Sequence, residues 1–133
     1  MAEDRVSIRT LRTPLGRVRG AGSAKGGTHH WFMMRVTSIA LLPLTLWLVF
    51  SLVALAGQSH AVTTAWIGSP FNAMLLLAFL AAAFHHTANG LQVFIEDYVR
   101  DEVKRMGGVL LVKGLCFLLW IAASLAVLRL AVR

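Results

Sequence analysis

Residues 81–100 read AAAFHHTANGLQVFIEDYVR, with two histidines inside a stretch otherwise suited to lipid. An ionisable side chain within a bilayer is costly and points to function. His86 lies ten residues before Glu96, which at 1.5 Å per residue puts it about 15 Å in from the boundary, near mid-membrane. A neutral imidazole at that depth suits axial ligation of haem iron. It also suits a proton relay or a hydrogen bond to a neighbouring helix, and the residues alone leave all three open. On a helix His86, Gly90, Val93 and Asp97 share one face. A glycine one turn from the imidazole lets a flat ligand or another helix approach the backbone. His85, Asn89, Gln92 and Glu96 form a second stripe about 100° away, polar throughout and fit to hydrogen-bond with other protein. Adjacent histidines point in different directions, so they cannot hold one iron from opposite sides.

A second axial ligand is hard to find in this chain. His29 and His30 precede the first apolar block, about a dozen ångströms shallower than His86, and His60 lies in the loop at the other end. The partner ligand is therefore expected from another subunit or a second copy. Tyr98 sits at the membrane boundary with Asp97 beside it. A phenol there can donate to a quinone carbonyl, or it can be an ordinary interfacial tyrosine with Glu96 and Asp97 paired to Arg100 and Lys104. Arg35 can hold a carboxylate, such as a haem propionate, through bidentate hydrogen bonds, or simply anchor the helix end. Lys113 is expected to snorkel to the near surface. Cys116 and the Met33–Met34 pair read as packing.

The elements that carry these residues are set by three apolar blocks. Residues 36–56 and 71–95 contain no charge, and 109–128 contain only Lys113. About 20 residues cross the hydrocarbon as a helix, and lipid offers the backbone no other partner, so three transmembrane helices are expected. Pro43 is expected to loosen or kink the first. The first block is too long for a cleaved signal, and Glu3 and Asp4 argue against a mitochondrial transit peptide. Trp31, Trp47 and Trp66 read chiefly as interfacial anchors.

Composition agrees with this reading. Of 133 residues 57% are hydrophobic and 14% charged, well below the charge of a soluble domain, and the single cysteine forms no internal disulfide. A soluble globular enzyme is excluded. The net charge of +7 is concentrated early, with seven of thirteen Lys and Arg in residues 1–35. With no nucleic-acid motif beside it, that head reads as an orientation signal or a lipid-touching tail, and no nucleic-acid partner is expected. The loop 57–70 has no Lys or Arg, whereas 96–108 has Arg100, Lys104 and Arg105. The N-terminus is expected inside. Residues 1–28 are expected to form a basic flexible extension, loop-like over 20–27 (GAGSAKGG), and 29–133 the three-helix membrane domain.

The segment HHTANGLQVFIEDYV resembles the second helix of the smaller of the two membrane-anchor subunits of succinate dehydrogenase, respiratory complex II. That family shows a haem-ligating His, a Gly four residues on, and an Asp-Tyr pair seven and eight residues after the Gly. His86, Gly90, Asp97 and Tyr98 match it. A His, an Arg six residues on and a Thr-rich helix start are matched by His29, Arg35 and Thr37. The likeness covers residues 15–130. It implies an all-α anchor of three transmembrane helices that packs with a second three-helix membrane-anchor subunit and shares one haem b with it. It further implies a flavoprotein and an iron–sulfur subunit on the inner face and electron transfer from succinate to ubiquinone. His86 would then be one axial ligand of the haem iron, with the other from the second anchor. Tyr98 and Asp97 would serve ubiquinone, and Arg35 and His29 would lie near the haem propionates or the quinone pocket. The setting implied is a bacterial inner membrane, ahead of the mitochondrial one. A competing class is a small homo-oligomeric transporter or channel conducting along His85, Asn89, Gln92 and Glu96. Further alternatives are a purely structural anchor without cofactor and a stand-alone membrane cytochrome b.

Overall fold

The computed structural model describes residues 13–20 and 26–132. It is all-helical, with α1 (Pro14–Gly20), α2 (Gly26–Leu55), α3 (His60–Gly68), α4 (Pro70–Tyr98) and α5 (Glu102–Ala131), and no strand among the described residues. Three of these, α2, α4 and α5, are 29 or 30 residues long and apolar enough to cross a membrane, as the three blocks require.

Each long helix outruns its apolar block. α2 opens at Gly26, so Gly26 and Gly27 are helical and the expected loop over 20–27 is corrected there; residues 21–25 lie outside the described residues. Part of the stretch expected to be flexible is also helical. Pro14 opens α1, and Thr13 Oγ1 accepts from the Gly16 N–H at 3.1 Å. Proline at a first helical position costs no hydrogen bond, because that N–H has no partner anyway. Inside α2, Pro43 does remove one donor, yet the helix runs on through it. α5 starts at Glu102 because Asp101 caps it, its carboxylate accepting from the Lys104 N–H at 2.9 Å.

The loop expected over 57–70 contains a further helix. Gly57 turns the chain with φ 79°, and Ser59 caps α3 by accepting from the Val62 N–H. Trp66 on α3 stacks on Trp47 of α2, centroids 5.5 Å apart. That contact gives the two tryptophans a packing role besides the anchor role read from sequence. Asn72 Nδ2 donates to the Trp66 carbonyl at 2.9 Å and ties α3 to α4.

α4 is the middle helix, packing along both α2 and α5. Because α2 and α4 are antiparallel, the start of α2, the end of α4 and the start of α5 come together at one end. The interior is small: among the described residues only Thr37, Ala73, Asn89 and Cys116 are buried. Leucine, valine and phenylalanine side chains point outward, as expected where lipid rather than water surrounds the bundle.

Candidate haem and quinone site

The contact between α2 and α4 is built on one polar pair. Thr37 Oγ1 lies 3.0 Å from His86 Nδ1. Thr37 is 7% exposed, so water does not compete for that bond. The same hydroxyl is 2.8 Å from the Met33 carbonyl and 3.2 Å from that of Met34, the back-bonding usual for threonine in a helix. His86 is half-buried, and no further hydrogen bond to its ring is formed among the described residues. From sequence Thr37 reads only as part of a helix start. Its partnership with His86 spans 49 positions, and no local pattern encodes that.

One turn beyond His86, a Cβ built on Gly90 would meet nothing within 4 Å. Packing inside this chain therefore does not require glycine at that position. The space beside it is open to something else. Further toward the α2 start, a groove of about 300 Å³ is lined by His30, Trp31, Met34, Arg35, Ser38 and Val93. Val93 belongs to the same face as His86 and Gly90, so Arg35 and the imidazole flank one surface. The Arg35 guanidinium lies over the Trp31 ring, 5.3 Å from its centroid, and Arg35 remains exposed. His30 rather than His29 lines this groove, and its Nε2 is buried without a hydrogen-bond partner. His29 is exposed and outside it.

These residues suit a haem. An imidazole is fixed at one nitrogen, open space adjoins it at Gly90, and a guanidinium and a second imidazole line a groove on the same face nearer the α2 start. A planar macrocycle with carboxylate arms needs those three features.

Tyr98 is the last residue of α4, stacked on Phe94 with centroids 4.6 Å apart and 73% exposed. Asp97 is exposed beside it. The geometry leaves the phenol hydroxyl free to meet a partner at the end where α2 begins. Glu96 Oε1 accepts from Gln92 Nε2 at 2.7 Å, so one carboxylate of the pair is engaged along its own helix.

The polar stripe is divided by the fold. Asn89 is buried, Gln92 and Glu96 bond each other, and His85 is exposed. His85 and Asn89 line a larger cavity of about 690 Å³ together with Thr37, Lys113, Cys116 and Trp120. Lys113 therefore shares a cavity with His85, which the expectation of simple snorkelling did not anticipate. Cys116 is buried, in keeping with a packing role. No cluster of three or more His, Cys, Asp or Glu able to hold a metal ion occurs among the described residues. A haem ligand needs none, since each axial position takes one side chain.

The sequence has known relatives along most of its length. Residues 9–123 match the family model for the succinate dehydrogenase/fumarate reductase transmembrane subunit. The chain is similar to the succinate dehydrogenase hydrophobic membrane anchor subunit of Rickettsia conorii, 30% identical over 117 residues that cover 87% of this chain and 93% of that one. The Rickettsia bellii protein of the same name is 31% identical, covering 88% and 94%. That of Paracoccus denitrificans is 30% identical over 93 residues, covering 70% and 72%. No solved structure matches the chain.

Proposed function

The chain belongs to the succinate dehydrogenase/fumarate reductase transmembrane-subunit family, and from that premise we propose that it anchors a succinate:ubiquinone oxidoreductase and supplies one side of its haem b and ubiquinone sites. The single observation that carries the reading is the fixed imidazole of His86 beside the open space at Gly90.

In this reading His86 would hold the haem iron from this chain, and a second three-helix membrane-anchor subunit would supply the remaining protein ligand. Arg35 neutralises the carboxylate arms from the shared groove, with His29 nearby at the same end. When bound, the haem supplies a one-electron centre within the membrane. Tyr98 donates its hydroxyl proton in a hydrogen bond to a ubiquinone carbonyl, orienting the ring, and Asp97 beside it supports that site electrostatically. The reduction of ubiquinone draws on electrons from succinate, delivered through the flavoprotein and iron–sulfur subunits. Those subunits dock at the end where α2 begins, and this end faces the cell interior in a bacterial inner membrane. Residues 29–133 form the anchor and residues 1–28 an extension to it.

A dithionite-reduced minus oxidised absorption spectrum of the tagged protein, purified in mild detergent with what accompanies it, tests the proposal. A b-type haem band with co-purifying flavin and iron–sulfur subunits is expected. Those subunits without any haem band would remove the His86 role and leave an anchor alone.

A further inference from the structure

Thr37 touches His86 at the nitrogen that would face away from an iron, and this contact has a chemical direction. We propose that Thr37 is a positioning residue that holds His86 as the Nδ1–H tautomer, leaving the Nε2 lone pair free for a metal; this rests on the reading of His86 as the haem ligand.

Counting hydrogens gives the direction. A threonine hydroxyl carries one. The Met33 carbonyl, 2.8 Å from Thr37 Oγ1, accepts and cannot donate. The Met34 carbonyl at 3.2 Å only reinforces the same direction. With its hydrogen turned to the helix backbone, Oγ1 meets His86 Nδ1 at 3.0 Å as an acceptor. With the hydroxyl so assigned, the proton in that bond comes from the imidazole. A neutral imidazole has one N–H, so Nε2 is left bare. Ligating histidines commonly give their second ring N–H to an oxygen in this way, which fixes the ring and raises the basicity of the ligating nitrogen. Here the oxygen sits on a different helix and is buried, so the orientation of the ring depends on α2 and α4 staying together. A more basic ligand favours the oxidised iron, so the contact also lowers the midpoint potential of the centre.

The test compares Thr37→Val, which keeps the shape and removes the hydroxyl, with Thr37→Ser, which keeps the hydroxyl, in the intact purified complex. Thr37→Ala provides the same loss of hydroxyl should valine prevent assembly. Assembly is followed by succinate oxidation with a soluble artificial acceptor, and the readouts are haem content and haem midpoint potential. Loss of the hydroxyl is expected to weaken haem retention about tenfold or more and to move the potential to more positive values, with Thr37→Ser restoring both. If the serine variant behaves like the valine or alanine one, or if neither departs from the parent, the hydroxyl has no such role and the inference fails. A different result sinks the underlying reading: haem retained unchanged in His86→Ala means that His86 is not the ligand, whatever Thr37 does.

Discussion

Gly68 and Gly90 do opposite jobs at opposite parts of the bundle. A Cβ on Gly68 would lie 2.6 Å from the Leu130 carbonyl oxygen, because α3 is pressed onto the last turns of α5. A Cβ on Gly90 would meet nothing within 4 Å. The first glycine is explained by the chain itself, and the second is not. The α3 end is closed by its own contacts, with the Trp47–Trp66 stack, the Asn72 bond and the Ser59 cap. The face carrying His86, Gly90, Val93 and Arg35 is finished on one side only. Under the proposed function, that unfinished face is where a shared haem and the second anchor subunit would sit.

The contrast can be broken by substitution. The largest effect is expected from His86→Ala, which should abolish the haem band in the purified complex, whereas His85→Ala should leave it; exchanged behaviour would put the ligand one residue earlier. Next, Tyr98→Phe should lower ubiquinone reduction about tenfold, the kinetic equivalent of about one hydrogen bond, while succinate oxidation with a soluble acceptor continues. Equal rates with ubiquinone would remove Tyr98 from the site. The glycines themselves come third. Gly68→Ala should destabilise the bundle by about 1–3 kcal/mol through overpacking, seen as a lower melting temperature in detergent. Gly90→Ala should leave the melting temperature of a haem-free preparation in place and reduce haem content in the complex. Matching losses of stability at both positions would erase the distinction. The smallest effect belongs to Asp101→Ala, which removes the α5 cap and should cost about 1 kcal/mol without moving the haem spectrum.

Much of this architecture is legible in the residues because lipid simplifies the problem. An uncharged run of 21 or 25 residues has few structural options, so the three spans follow directly. Their ends do not, since the blocks are bounded by charge and composition rather than by where helical hydrogen bonding stops. α2 begins at Gly26, well before Val36, and the Asp101 cap sets the start of α5 well before Val109. α3 is hidden for a different reason. Its nine residues are too short for a hydropathy signal, and only the Ser59 cap hints at it. In the site, the 3.6-residue repeat suffices to align His86, Gly90 and Val93. It says nothing about which residue of another helix will meet them. Thr37 as the His86 partner, and His30 rather than His29 on the Arg35 groove, are products of tertiary packing.

The long helices also exceed the thickness of the membrane they cross. At 1.5 Å per residue, the 30 residues of α2 and of α5 each extend about 45 Å, against about 30 Å of hydrocarbon. Tilt absorbs only part of the excess, because transmembrane helices rarely lean beyond about 40°. Rigid helical stubs must therefore stand above the acyl chains. At the end formed by the α2 start, the α4 end and the α5 start, they make a stiff collar bearing His29, His30, Tyr98 and the Asp101 cap. A docked water-soluble protein would rest on that collar rather than on lipid headgroups, its height above the bilayer fixed by helix length instead of by a flexible tether.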